Sequence, residues 1–115
     1  MAKTFVIGDI HGGLKALQQV LERASVTTND TLIFLGDYVD GWSESPAVLD
    51  LFIAINQTHH CIFLRGNHDE LTLHWLQNNH DNPMWYDHGG ESTVKAYQNV
   101  SEAVKQKHIE FLLSI

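Results

Sequence analysis

The sequence predicts an α/β fold in which a parallel β-α-β-α-β sheet is flanked by helices. Three short apolar runs, at residues 5–7, 32–35 and 62–64, are rich in β-branched or aromatic residues and end near a glycine, as buried strands do. The stretches 14–24 and 46–55 between them carry apolar residues at helical spacing. Two right-handed crossovers in a row bring the carboxyl ends of all three strands to one edge of a parallel sheet.

The elements can be assigned in chain order from their boundary residues. The polar stretch 25–30 ends the first helix, and Pro46 suits the first turn of the second because its missing N–H has no helical partner there. After the third strand the pattern predicts a helix over 69–77, a surface loop over 78–90 and a helix over 91–99. A last helix follows.

That last helix is predicted to be capped by Ser101 and to present an apolar face that includes His108. A chain of 115 residues has material for one core, so residues 1–115 are expected to form a single domain. Because the sequence ends on an apolar stretch without a helix-closing Gly or Asn, we expect a domain cut inside an element.

Charge and composition exclude several classes of protein. Fourteen acidic and seven basic residues give a formal charge of −7, the wrong sign for holding a nucleic-acid backbone. No apolar run is long enough for a membrane span, and residues 1–3 lead directly into a strand without a signal-peptide layout. We therefore expect a cytoplasmic protein whose partners are neither nucleic acids nor membranes.

The cysteine count limits the kind of metal site that the chain could hold. With Cys61 as its single cysteine, the chain can form neither an internal disulfide nor a thiolate cluster. Any metal would be held by His, Asp, Glu or Asn, and the eight histidines are a high number for this length. An acidic protein that handles phosphate would need such a metal to reverse the local field.

Each predicted strand runs into a glycine followed by a residue that can bind a metal. These residues are Asp9, Asp37 and Asn67, and in a parallel sheet they would meet at the carboxyl edge, where open α/β sheets bind ligands. His11 and His68 add two imidazoles nearby. This donor set suits Mn²⁺, Fe or Zn²⁺, and it predicts a centre with two metal ions.

The same residues also have structural explanations that involve no metal or phosphate. One Gly-Asp pair after a strand is typical of a turn or a helix cap, but three in register favour a site. Arg65 either contacts phosphate or is a solvated charge at the strand end. The glycines of residues 8–13 lack the dinucleotide-loop spacing, and no GK[ST] follows them, so neither kind of nucleotide loop is predicted.

Three motifs resemble those of a known family. Residues 8–12 (GDIHG), 36–41 (GDYVDG) and 66–69 (GNHD) resemble the GDxHG, GDxVDRG and GNH[ED] motifs of phosphoprotein-phosphatase-type, or calcineurin-like, metallophosphoesterases. The family includes bacterial serine/threonine phosphatases and diadenosine tetraphosphatases, and the Asp of GNHD is more typical of its bacterial members. The resemblance spans residues 5–70. It implies the amino-terminal half of a four-layer αββα sandwich.

The resemblance also implies metal ligands. Asp9 and His11 would bind the first metal ion, Asp37 would bridge the two, and Asn67 would bind the second. The cofactors implied are two divalent ions, with Mn²⁺ expected first and Fe or Zn²⁺ as alternatives.

For the remaining motif residues the resemblance implies catalytic roles. His68 would be the general acid or an orienting group, Asp40 would hold it, and Arg65 would contact the phosphate. The implied activity is hydrolysis of a phosphoester by a metal-activated water, with a serine/threonine-type protein phosphatase expected first. Diadenosine tetraphosphate hydrolysis is the alternative, and small phosphoesters remain open as substrates.

The sequence departs from the family pattern in two ways. Gly41 stands before Trp42 where the family usually has an arginine that grips phosphate. The two later histidines of the second metal site find no counterpart. The other histidines, which are expected to be surface or packing residues, are His59, His60, His74, His80, His88 and His108. The chain alone is therefore expected to bind metal weakly and to turn over slowly.

The sequence is also compatible with a function other than catalysis. A truncated relative could be a non-catalytic metal-binding and protein-interaction module, since the missing strands would leave an apolar sheet edge exposed and favour a homo-oligomer or another partner. Trp85 and Tyr86 are expected to cover the core, with a substrate groove as the alternative.

Overall fold

The computed structural model describes residues 2–8, 10–78 and 82–115. Its strands are β1 (Thr4–Ile7), β2 (Thr31–Phe34) and β3 (His60–Phe63), and its helices are α1 (Leu14–Arg23), α2 (Ser45–Ile55), α3 (Asn67–Asn78), the short α4 (Pro83–Trp85), α5 (Glu91–Ala96) and α6 (Glu102–Ser114). A kinked segment, Tyr86–Gly90, in which His88 and Gly89 have non-helical backbone angles, joins α4 to α5. None of the described helices combines the length and the apolar character needed to cross a membrane.

The three strands form one parallel sheet in the order β1-β2-β3. Val6 lies opposite Ile33, and Ile33 opposite Ile62. This arrangement confirms the two consecutive β-α-β units that the sequence predicts. It also places the three strand ends on one edge, where the motif residues follow.

One face of the sheet packs on helices. Leu32 and Phe34 of the central strand are completely buried, because side chains alternate between the two faces and these two point into the core. The ring of Phe34 stacks on Phe63 with centroids 5.1 Å apart and lies 4.6 Å from Phe52 of α2. Residues of α1, α3 and α6 complete the same apolar cluster.

The opposite face of the sheet is open and apolar. Val6 is 61% exposed and Ile62 is 50% exposed, although both stand on strands of the sheet. Leu35 and Leu64, which directly follow β2 and β3, are about half-exposed. The described part of the chain therefore has two layers, one of helices and one of sheet.

The segment predicted as a surface loop over 78–90 differs most from expectation. Asn82 caps α4, where its Oδ1 accepts from the Trp85 N–H at 3.1 Å, and Pro83 occupies the first turn. These residues are a helix-start signal as well as a loop signal, and the loop prediction is wrong for residues 83–90. Trp85 is only 3% exposed, which confirms its expected role in the core.

The last helix begins as predicted, since the Ser101 hydroxyl accepts from the Val104 N–H at 3.3 Å. His108 of this helix is fully buried. Its Nδ1 lies 2.7 Å from the Tyr97 hydroxyl and its Nε2 lies 2.7 Å from Asp50. His108 is thus a packing residue with both ring nitrogens hydrogen-bonded.

Candidate metal centre

The loops that follow β1 and β2 are joined by backbone hydrogen bonds. The His11 N–H donates to the Asp37 carbonyl at 3.0 Å, and the Gly12 N–H donates to the Tyr38 carbonyl at 2.7 Å. The Trp42 N–H returns a bond to the His11 carbonyl at 2.8 Å. Two of the three motifs are therefore held side by side at the carboxyl edge of the sheet.

These loops contain unusual backbone conformations. Among the described residues other than glycine, φ is positive at His11 (47°), Ser25 (52°), Asp37 (56°) and Asp40 (67°). Left-handed conformations cost a non-glycine residue free energy, about 1–3 kcal/mol where the region is sparsely populated, and they cluster at functional sites. Three of these four residues are site candidates from the sequence, which supports a functional use of this edge.

The third motif is tied to the second through Asp69, for which the sequence analysis gave no role. Its carboxylate accepts from the Asp37 N–H at 2.7 Å, the Tyr38 N–H at 2.8 Å and the Gly66 N–H at 2.9 Å. Burial raises the pKa of Asp69, and the nearby charge of Asp37 also raises it. The three backbone hydrogen bonds lower it, but burial has the largest effect. Asp69 thus binds the β2 loop to the start of α3.

Asp69 also explains why α3 begins at Asn67, two residues before the predicted start. An acidic residue at the third helical position that accepts from the N–H of the preceding cap residue is half of a capping box. The position of Asp69 three residues after Gly66 was the sequence signal that could have found this bond.

Gly66 allows the β2 loop to lie directly against the start of α3. A Cβ atom at this position would stand 2.3 Å from the Asp37 nitrogen and 2.4 Å from its Oδ1. That same Oδ1 accepts from the His68 N–H at 3.1 Å. The carboxylate of Asp37 is therefore fixed beside the third motif, where a bridging ligand is expected.

The imidazole of His11 is oriented as a metal ligand requires. Its Nδ1 lies 3.1 Å from the Val39 carbonyl oxygen, and since a carbonyl only accepts, Nδ1 carries the proton. The lone pair of Nε2 is then available to a metal, an arrangement common among metal-binding histidines. The ring lies 5.3 Å from that of His68, at right angles to it.

His68 and Asp40 form the pair that the sequence predicts. The Nδ1 of His68 lies 2.9 Å from Oδ2 of Asp40, and Asp40 is 1% exposed while a quarter of the His68 side chain is exposed. With Nδ1 held by the carboxylate, Nε2 is the nitrogen that can exchange a proton with a bound molecule.

Asp40 has three further partners that sequence reasoning missed. Its carboxylate also accepts from the Thr72 hydroxyl, the Trp85 indole N–H and the Thr93 hydroxyl. The three donors come from α3, α4 and α5. Nothing in their spacing relative to the motif indicates that they would meet at Asp40.

The described donors fit a divalent metal by their chemistry. They are the free Nε2 of His11, the Asp37 carboxylate and the Asn67 amide, and Gly66 leaves room for the carboxylate beside α3. Asp9 lies outside the described residues. In the ranges that the structure describes, no group of three His, Cys, Asp or Glu side chains lies close enough together to hold a metal ion. This search includes neither Asp9 nor the amide of Asn67.

Arg65 makes a contact that neither sequence reading included. Its Nη2 donates to the Leu112 carbonyl at 2.7 Å and to the Leu113 carbonyl at 3.3 Å. These carbonyls belong to the last turn of α6, where a cation is favourable for the helix dipole. The structure thus joins Arg65 to α6.

The other histidines are distributed as the sequence predicts for the most part. His60, His74 and His88 are exposed, and His59 is partly exposed. His80 lies outside the described residues. His88 does line a cleft next to the candidate centre.

That cleft has a volume of about 620 Å³, and Asn67 and His68 are among its lining residues. Leu71, Met84 and Trp85 contribute apolar surface to it. Trp85 therefore packs in the core and also lines a cleft, whose use as a substrate groove stays a prediction. The cleft gives a bound molecule room beside the proton-exchanging nitrogen of His68.

Comparisons with known proteins show the family to which the chain is similar. The family model described as calcineurin-like phosphoesterase matches residues 2–111. The chain is 32% identical, over 95% of its length, to serine/threonine-protein phosphatase 2 of Escherichia coli, and covers 46% of that protein. It is 26% identical, over 94% of its length, to bis(5'-nucleosyl)-tetraphosphatase PrpE [asymmetrical] of Oceanobacillus iheyensis, and covers 47% of it. The chain spans about half the length of the curated relatives it matches.

Solved structures show the same fold. A metallophosphoesterase from Sphaerobacter thermophilus superposes with a TM-score of 0.67 at 24% identity, covering 97% of this chain and 40% of its own. A protein serine/threonine phosphatase from Saccharomyces cerevisiae gives a TM-score of 0.67 at 20% identity, covering 99% of this chain and 36% of its own. These likenesses establish the fold of the chain.

Proposed function

Because the chain belongs to the calcineurin-like phosphoesterase family, we propose that it supplies the metal-binding edge and the general acid of a phosphoester hydrolase. The observation that carries this proposal is the direct linkage of the three strand-end motifs. His11 bonds to Asp37 through the backbone, and Asp37 accepts from the N–H of His68. The described parts of three motifs that are far apart in sequence thus lie side by side, which supports a single site.

Asp9, His11, Asp37 and Asn67 would hold two divalent ions, with Mn²⁺ favoured and Fe or Zn²⁺ as alternatives. When bound, such ions lower the pKa of water and neutralise charge on the phosphoryl oxygens. The chain's own contribution is to fix its ligands beforehand. The Val39 carbonyl sets the tautomer of His11, and Gly66 sets the place of Asp37.

His68 would protonate the leaving oxygen. Asp40 holds Nδ1 and stabilises the imidazolium, so that the proton on Nε2 faces the leaving group. General-acid catalysis of this kind contributes about 10²–10⁴-fold to the rate. The cleft that His68 lines would take the leaving group.

Arg65 would contact the phosphate only after releasing the carbonyls of α6 that it now binds. The position of the family arginine is occupied here by Gly41 and the 70% exposed Trp42. We therefore expect weak binding of simple phosphomonoesters by the chain alone. Retention of the phosphate would depend mainly on the metal ions.

A phosphorylated protein is the substrate class we favour, because the relative named as a serine/threonine phosphatase is 32% identical to this chain. The similarity to a bis(5'-nucleosyl)-tetraphosphatase makes a dinucleoside tetraphosphate the alternative. Assays with a phosphoserine peptide and with diadenosine tetraphosphate distinguish the two. Preference for the dinucleotide would contradict the phosphoprotein assignment.

The division of roles predicts different effects for two substitutions. Asp37→Asn should abolish Mn²⁺ binding and hydrolysis together, whereas His68→Asn should leave Mn²⁺ binding intact and lower kcat by about 10²–10⁴-fold. Element analysis of metal per chain and hydrolysis of p-nitrophenyl phosphate measure the two effects. Equal loss of metal in both variants would refute the assignment.

A second candidate function is a non-catalytic interaction module, which the open apolar face of the sheet favours. In that case the chain would bind metal and a partner but would not turn over. A wild-type chain that binds Mn²⁺ and shows no hydrolysis, even when the carboxyl-terminal half of a relative is added, would support this candidate over the enzyme.

A further inference from the structure

The carboxylate of Asp40 is saturated by four side-chain donors. Its Oδ2 lies 2.9 Å from Nδ1 of His68 and 2.5 Å from Nε1 of Trp85. Its Oδ1 accepts from Thr72 at 3.2 Å and from Thr93. His68 and Trp85 therefore share a single oxygen atom, and the position of that oxygen is set by both.

We propose that Trp85 is a positioning residue that orients the imidazole of His68 through Oδ2 of Asp40. The kinetic part of this inference rests on the proposed hydrolase function, and the structural part does not. An indole N–H can only donate, so its bond to Oδ2 has one possible direction. The rigid ring then fixes where Oδ2 stands relative to His68.

Trp85 is itself held firmly. Its backbone N–H bonds to the Asn82 side chain, and its ring lies 5.7 Å from the ring of Trp75. Gly90 also packs against this ring, since a Cβ atom there would stand 2.5 Å from the ring carbons. The indole therefore has little freedom to leave Asp40.

The segment 86–90 also passes close to Asp40. Gly89 has a φ of 115°, and a Cβ atom there would lie 3.2 Å from the Cβ of Asp40. The two glycines allow residues 86–90 to pass close to both Asp40 and the indole. This segment thus brings a distant part of the chain onto the general-acid pair.

Loss of the indole N–H should loosen the carboxylate rather than remove it. Thr72 and Thr93 would still hold Oδ1, but among the described residues Oδ2 would keep only His68 as a side-chain donor. The side chain of Asp40 could then rotate, since the carboxylate torsion has a broad minimum. His68 would sample orientations in which Nε2 does not face the leaving group.

The first test needs no enzymatic activity. In the 115-residue chain, NMR would measure hydrogen exchange of the His68 Nδ1–H in the wild type, in Trp85→Phe and in Trp75→Phe. Trp75→Phe is the matched control, because Trp75 packs beside Trp85 and, within the described residues, Asp40 accepts from Trp85 but not from Trp75. Exchange should be about tenfold faster in Trp85→Phe and should change much less in the control, which keeps the indole N–H bond to Oδ2 of Asp40.

A second variant separates the donor from the shape of the ring. Site-specific replacement of Trp85 by β-(3-benzothienyl)alanine keeps the bicyclic ring and removes the N–H, so packing is preserved even if Trp85→Phe does not fold. It should accelerate the same exchange about tenfold. Unchanged exchange with a folded benzothienyl variant would overturn the proposal.

The kinetic test uses a double-mutant cycle on the active protein. Trp85→Phe should lower kcat about tenfold without changing Mn²⁺ affinity, and its effect on kcat should disappear in an Asp40→Asn background. An equal additional loss in that background would show that Trp85 does not act through Asp40. Absence of hydrolysis in every variant would count against the proposed function, while the exchange measurement would still decide the role of Trp85.

Discussion

Gly66 determines how closely the second and third motifs approach each other. The Asp37 nitrogen lies too close to the place of a Cβ atom on residue 66 for the two to coexist, so the Asp37 carboxylate can rest against α3 only if this residue is glycine. The requirement comes from the contact itself and does not depend on backbone flexibility.

Gly66→Ala should therefore separate Asp37 from the start of α3. We expect a loss of about 1–3 kcal/mol in the free energy of unfolding, as for overpacked sites, together with loss of Mn²⁺ binding. Urea unfolding and metal analysis measure the two. Gly8→Ala is the control, because a Cβ atom there would meet Leu35 only at 3.5 Å; equal effects of both substitutions would contradict this account.

Asp30 should make stability depend on acid pH. Hydrogen bonds from the backbone N–H groups of Thr27 and Lys3 hold the pKa of Asp30 below its usual value of 3.8. A lowered folded-state pKa stabilises the fold above the unfolded-state pKa, and this stabilisation is lost as the pH falls through the folded-state value.

The melting temperatures of wild type and Asp30→Asn should therefore differ at neutral pH, begin to converge near the unfolded-state pKa of about 4 and meet only below the lower folded-state pKa. Because both proteins are measured at each pH, the effect of the other carboxylates on the melting temperature cancels in the difference. A difference that grows on acidification would contradict the sign of the shift.

At the scale of elements, two polar contacts hold α6 against the rest of the fold. Arg65 donates to its last carbonyls, and His108 bonds to Tyr97 and Asp50. Burial raises the pKa of Tyr97 far above its usual value, so its hydroxyl stays protonated beside Nδ1 of His108. His108 then donates from Nε2 to Asp50.

His108→Leu should destabilise the fold by about 1–3 kcal/mol, because it leaves the buried Tyr97 hydroxyl without its partner. Urea unfolding measures this loss. His74→Leu is the control, since that side chain is 59% exposed and surface substitutions usually change stability by less than about 0.5 kcal/mol. A neutral His108→Leu would mean that packing alone holds α6.

At the scale of the whole molecule, one face of the sheet is apolar and open to solvent. Val6, Leu35, Ile62 and Leu64 present apolar side chains there, and contiguous exposed apolar surface marks a contact site. The second sheet of the family fold would pack on this face in a longer protein. In a solution of the chain alone, a second copy is the available partner.

We therefore expect the chain alone to self-associate through this face. Sedimentation velocity should show a concentration-dependent dimer that Ile62→Lys weakens, since a charge on the face opposes close packing. Val20→Lys on α1 is the control, because Val20 is 46% exposed and lies on a helix. Equal weakening by both substitutions would place the contact elsewhere.

Most of the site could be predicted from the sequence because its residues follow strands. Asp37, His68 and Asp40 lie at fixed offsets from glycines at strand ends, and parallel pairing turns those offsets into proximity. The short-range signals for Ser101 and Pro46 were equally reliable, since a cap or a first-turn proline acts within one turn of helix. The Asn82-Pro83 pair was misread because the same residues begin loops and helices.

The sequence by itself determined the order of strands and helices, the meeting of the three motifs and the His68–Asp40 pair. Only the tertiary structure decided that Trp85 completes Asp40, that Arg65 binds α6 and that His108 joins Tyr97 to Asp50. The reason is physical: periodicity and capping act over a few residues, whereas these bonds join atoms 45, 47 and 58 residues apart and depend on how helices pack.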